Sequence, residues 1–227
     1  MVTSVDRTPA TEIVYPDSDG KPLVDNTRQF RWITTIQSNL DRLFADDPDV
    51  FVAGDLLWYP VEGDNKTRQA PDVMVAFGRP KGERGSYQQW QEGGIPPRVV
   101  FEILSPGNKR AEMAKKFLFY DRHGVEEYYI YDPDRNDLEA YIRGENRLEP
   151  IENFDNRIGP ALGIRFPRVE PRLIPCYPDG QPFTGYNEER ERAEAERQRA
   201  ERLVAKPREL NIDPDEVWRS IPLSRSL

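Results

Sequence analysis

Histidine and cysteine are nearly missing from this chain, which has one of each, His123 and Cys176. A single thiol excludes an internal disulfide framework and any zinc cluster built on paired thiolates. An excess of positive charge is missing too: 32 basic residues stand against 40 acidic ones, for a net charge of -8. That sign is wrong for a protein that holds nucleic acid through bulk electrostatics, so any such contact must be local. No apolar window is long enough to span a bilayer, and the opening "MVTSVDRTPATEIVYPDSDGKPL" has no basic segment leading into an apolar one. These absences point to a soluble, cytoplasmic protein with no membrane association. With 227 residues there is room for one sizeable domain and an appendage.

The chain divides by composition into three parts. Residues 1–26 are polar and rich in Pro, Asp and Thr, which predicts an extended or loosely ordered arm. Residues 27–187 form the domain, and 188–227 a charged helix and tail. From Thr27, the spacing of Phe30, Ile33, Ile36, Leu40, Leu43 and Phe44 predicts a helix that covers one face of a sheet and ends before "ADDPD". Short strands are expected at 50–53, 56–61 and 71–77. Residues 98–104 read as a strand, "NKRAEMAKKFLFYDRHG" as a helix and 127–132 as a strand, a β-α-β unit with Asn108 as N-cap and Gly124 as stop. A hairpin partner at 138–142 follows the turn "DPDRND". The fold class is mixed α/β.

Two stretches break the pattern. Residues 78–97, "GRPKGERGSYQQWQEGGIPP", are long for a connection within a domain; they either reach toward a substrate or pack Tyr87 and Trp90 on the surface. In the tail, "NEERERAEAERQRAERLVAKP" alternates Glu and Arg at helical spacing, predicting a solvated helix laced with i,i+4 ion pairs and ended by Pro207. Its charges nearly cancel, with nine basic and ten acidic residues from Glu188 onward. The acidity therefore belongs to the domain.

Two acids stand where acids are costly. Glu102 interrupts the apolar run "VVFEIL", and Asp72 opens "PDVMVAF". Alternation puts Asp72, Met74 and Ala76 on one face of their strand and Val100, Glu102 and Leu104 on one face of theirs. If the strands are neighbours the carboxylates meet, and two such charges about 4 Å apart repel by roughly 4 kcal/mol at an effective dielectric near 20. A bound divalent cation reverses the sign. An oxygen-rich, nitrogen-poor site of this kind suits Mg²⁺ or Mn²⁺. Asp55, after Gly54, is either a third oxygen donor or a turn residue, and His123, beside Gly124, fits a solvated or capping role better than ligation. The following helix carries Lys115 and Lys116. Lys116 leans more easily along the sheet, where an ammonium could neutralise charge on a phosphate; either lysine could equally be a solvated helix face.

"APDVMVAF", "VVFEILSPGN" and "KKFLFYDRHGVEEYYIYDPD", in that order, resemble the Uma-two family of restriction-endonuclease-like proteins, within the PD-(D/E)XK nuclease-like superfamily. The similarity runs from about Thr27 to Pro175, and the Glu/Arg/Ala tail with "NIDPDEV" is similar to C-terminal extensions of that family. The resemblance implies a mixed central sheet flanked by helices with a polar helical extension, and a metal-dependent endonuclease acting on DNA. It maps the two metal ligands onto Asp72 and Glu102 and the catalytic lysine onto Lys116. The superfamily's usual lysine stands two residues after the second acid, where this chain has Leu104. Analogy with nucleases that address two strands suggests a homodimer. A nuclease-fold module that binds or regulates without cleaving, and a hydrolase of a smaller phosphate ester, are the other readings.

Overall fold

A computed structural model describes residues 13–18, 20, 26–169 and 172–209, without the side chains of 186, 187 and 203–209. In chain order the elements are α1 (Thr27–Leu43), β1 (Val50–Gly54), β2 (Trp58–Tyr59), β3 (Val73–Phe77), β4 (Tyr87–Gln88), β5 (Val99–Ile103), α2 (Arg110–Arg122), β6 (Glu127–Asp132), β7 (Asp137–Arg143), β8 (Leu148–Pro150), β9 (Arg168–Val169), β10 (Arg172–Leu173) and α3 (Tyr186–Glu209). The fold is mixed α/β, built on a six-stranded sheet in the order β1-β3-β5-β6-β7-β8. β5 and β6 pair in parallel across the α2 crossover, and the other neighbours are antiparallel. Two compact units result, Met1–Phe183 and Thr184–Leu227. No described helix is long and apolar enough to cross a membrane.

Alternation along the strands sorts the core into two layers. Val73, Val75, Val99, Phe101 and Ile103 point toward α1, where they meet Ile33, Ile36 and Leu40. Met74, Ala76, Val100, Tyr128 and Ile130 point the other way and share a cluster with Tyr120 of α2. Asn26 caps α1, its Oδ1 accepting from the N–H groups of Arg28 and Gln29. The stripe that α1 buries differs from expectation at its first turn. Phe30 is 43% exposed and Gln29 is buried in its stead, because the Gln29 amide donates to the Ile103 carbonyl at 2.9 Å.

Other local expectations are corrected. Of the strand predicted over 56–61, Trp58 and Tyr59 alone pair, in parallel with β4; Pro60 lacks an N–H to extend the ladder. Asn108 does not cap α2. The N-cap is Lys109, without a side-chain cap bond, because Asn108 Oδ1 closes a turn by accepting from Ser105 N at 2.7 Å and Ser105 Oγ at 3.1 Å. Gly124 does end α2, with φ at 91° and Val125 N–H donating back to the Tyr120 carbonyl at 3.1 Å. Pro207 lies within the last turn of α3, two residues before Glu209, rather than ending it. The tail motif "NIDPDEV" lies outside the described residues.

The 78–97 segment packs. Tyr87 is buried and stacks on Phe51, its hydroxyl donating to the Ile95 carbonyl at 2.8 Å. Trp90 meets Tyr15 of the arm at 5.0 Å between centroids. Its three cations are engaged: Arg79 and Arg84 clamp Glu92 at 2.9 and 2.7 Å, and Lys81 donates to the Val50 carbonyl at 3.1 Å. With Glu83 and Glu92 set against these three cations, the segment keeps a net charge of +1.

On the α1 face another buried acid, Glu127, has a partner for each of its oxygens. Glu127 accepts from Tyr129 Oη at 2.8 Å and from the Ala161 N–H. A Cβ added to Gly159 would stand 2.5 Å from Tyr129 Oη. Gly159→Ala should therefore destabilise the domain by about 1–3 kcal/mol, the usual cost of overpacking. A urea melt of the variant checks this, and an unchanged midpoint would mean the Tyr129 hydroxyl is free to move aside.

Candidate active site

Strand pairing brings the two costly acids together. β3 and β5 are neighbours, with Val73 opposite Phe101 and Met74 opposite Val100. One step further along this antiparallel register sets Asp72, which directly precedes β3, across from Glu102. Both side chains face the α2 layer, as their neighbours Met74 and Val100 do. Asp72 is 9% exposed and Glu102 2%. Asp72 Oδ2 accepts from the Ile103 N–H at 2.6 Å.

α2 supplies the counter-charge. Its two buried residues are Lys116 and Tyr120, one helical turn apart and so on one face. Lys116 Nζ donates to Glu102 Oε2 at 2.6 Å, and Tyr120 Oη donates to Glu102 Oε1 at 2.5 Å. Lys115, one position back, is exposed. Tyr120 was not foreseen from the sequence, although its i+4 spacing from Lys116 was visible there. Trp58 lies parallel to its ring at 6.4 Å and walls this side of the site.

The electrostatics follow from burial. Desolvation, then the charge of Glu102, pushes the Asp72 carboxyl up to about 8, against the opposing pull of Lys116. Burial works to lower the Lys116 ammonium, yet Glu102 and Asp72 outweigh it and the net shift is upward. Desolvation first, and Glu102 next, drive the Tyr120 phenol well above its ordinary range. Asp55 also raises Asp72, but its own backbone sits at φ 46°, the geometry of a turn residue. His123 lies against Phe119 and Trp58, at 4.7 and 6.0 Å between ring centroids, with its pKa lowered by burial and then by Arg122.

The donor set fits a hard divalent cation. Two carboxyl groups face each other in a poorly solvated place, where burial and then Glu102 keep the proton on Asp72 up to about pH 8, and no described residue donates to Asp72 Oδ1. Among the described residues no three His, Cys, Asp or Glu side chains converge as a full metal cage. Mg²⁺ is commonly held by one or two carboxylates with water and phosphate oxygens completing its shell.

No curated protein matches the chain. A solved structure, described as "a putative nuclease belonging to DUF820" from Anabaena variabilis ATCC 29413, is 18% identical over 60% of this chain and 73% of its own, with a TM-score of 0.45. The stretch matched by the family profile begins within the arm before Thr27 and spans positions 72, 102 and 116. With residues 12–166 matching it, the chain belongs to the Uma2 family, described as "Putative restriction endonuclease".

Proposed function

We propose that this protein hydrolyses DNA phosphodiester bonds with a divalent cation, Mg²⁺ or Mn²⁺, held by Asp72 and Glu102. The observation that carries this reading is the Lys116 ammonium, brought from α2 to 2.6 Å from a buried carboxylate that faces a second one. When bound, such a cation supplies Lewis-acid polarisation of a phosphoryl oxygen and a more acidic water. Lys116 holds positive charge at Nζ, where it neutralises charge building on the phosphate oxygens. Tyr120 fixes Glu102 from the other side, so that both carboxylate oxygens keep one orientation. Family membership, the paired acids and the absence of sulfur or nitrogen ligand clusters all support this chemistry.

Lys116→Met should lower Mg²⁺-dependent cleavage of plasmid and oligonucleotide DNA by about 10²–10³-fold, the usual cost of removing one charge-stabilising donor. Cleavage at the wild-type rate in that variant would take Lys116 out of the mechanism. A second reading, a nuclease-fold module that binds without cleaving, is favoured by one feature: both Glu102 oxygens already accept hydrogen bonds from the chain itself. Calorimetric titration with Mn²⁺ separates the two. Heat of binding that Asp72→Asn removes supports the enzyme, and no heat supports the module.

A further inference from the structure

On the face of the two acids lies a buried hydroxyl without a partner among the described residues. Tyr128 stands on β6 next to Val100 of β5, two residues before Ile130, which pairs with Glu102. It therefore shares the α2 face with both acids. Its ring packs on Tyr120 and Tyr141, at 5.0 and 5.8 Å between centroids. The two phenols are neighbours with different fates. Tyr120 reaches Glu102, whereas Tyr128, wholly buried, finds no acceptor for its hydroxyl among the described residues. Burial, and then the charges of Glu102, Tyr141, Asp72 and Glu139, keep the Tyr128 phenol protonated. It is thus a neutral donor in a negative potential. A donor so placed is costly to leave unmade.

We propose that Tyr128 and Glu102 together bind one water molecule, the hydroxyl donating to the water and the water donating to a Glu102 oxygen. Glu102 has the capacity. Each of its oxygens accepts one hydrogen bond from a side chain, and a carboxylate oxygen has room for a second. A buried water needs at least two polar partners, and the Tyr128 hydroxyl with a Glu102 oxygen would supply them. Tyr128 is then a positioning residue, bracing Glu102 from β6 while Lys116 and Tyr120 brace it from α2. The water rests on the unpartnered Tyr128 hydroxyl and on the strand register that sets it on the face of Glu102; its bearing on the cation rests on the function proposed above.

Tyr128→Phe keeps the ring and deletes the donor. Measured in the full chain without divalent ions, its thermal midpoint should fall. The same change made in a Glu102→Gln/Lys116→Met background should lower the midpoint less, because the shared acceptor is altered there. A midpoint that is unchanged or raised would show an idle, dry hydroxyl and overturn the proposal, as would an equal fall in both backgrounds. Titrated with Mn²⁺ alone, Tyr128→Phe should weaken binding about tenfold, as loss of a residue bracing a ligand does; unaltered affinity would overturn the positioning role. A wild-type chain that binds no Mn²⁺ would sink the metal reading, yet the midpoints would still decide the water.

Discussion

Asp72→Asn should abolish divalent-ion-dependent DNA cleavage, by about 10³-fold or more, and at the same time make the metal-free protein more stable. The second half comes from proton linkage. In the unfolded chain this carboxyl titrates near its ordinary value of about 4, whereas in the folded protein it is pushed up to about 8 by burial and then by Glu102. The folded state therefore binds the extra proton between those limits. Stability from this group is fully present below about pH 4 and is lost as pH rises toward about 8. The loss is on the order of a few kcal/mol at the upper end. Asparagine carries no charge to desolvate and its Oδ1 can still accept from the Ile103 N–H, so the variant should lack that slope. Thermal midpoints taken across the window without divalent ions should diverge, with the variant increasingly the more stable. A wild-type curve parallel to that of the variant would mean Asp72 is not a buried, repelled acid, and surviving cleavage would mean it is not a ligand. Mg²⁺ should narrow the gap at high pH, since a cation offsets the repulsion that the proton offsets at low pH.

Glu102→Gln is expected to act in the opposite sense on stability. Lys116 would be left as a buried ammonium without its nearest anion, and breaking a buried pair in this way costs about 3–5 kcal/mol. The low end is expected here, because Asp72 also acts on Lys116 and supplies a residual negative charge. Removing the stranded charge as well, in Glu102→Gln/Lys116→Met, should recover most of the loss while leaving the protein inactive. Urea unfolding of the two single variants and the double one measures the coupling. Additive losses would mean that the 2.6 Å contact between Lys116 and Glu102 is of no energetic consequence. The split between restored folding and absent cleavage separates a structural ion pair from a reactive one.

Much of this site is legible in the chain's own pattern of residues. Two runs, "PDVMVAF" and "VVFEIL", carry their acids in a period-two pattern that assigns each side chain to a face. The β5-α2-β6 unit shows itself through an apolar strand, a helix ending at Gly124 and a second apolar strand. Local rules mislead where a side chain finds a better partner than its nearest neighbours offer. Asn108 is drawn to Ser105 and leaves α2 uncapped by any side chain. Gln29 displaces Phe30 from the buried stripe because a strand carbonyl at Ile103 accepts from its amide. Tyr128 is invisible as a polar group, since an aromatic in an apolar strand reads simply as core.

By itself, then, the sequence determined the scarcity of nitrogen and sulfur ligands, the face on which each acid points and the helix that follows Glu102, because residue type and side-chain period are properties of a few adjacent positions. The tertiary structure alone decided that β3 lies beside β5, so that Asp72 and Glu102 meet, and that α2 is rotated to bury Lys116 and Tyr120 and expose Lys115. Those choices depend on how whole elements pack against one another, and a helix turned by one residue, about 100°, would keep the same local pattern while delivering a different lysine.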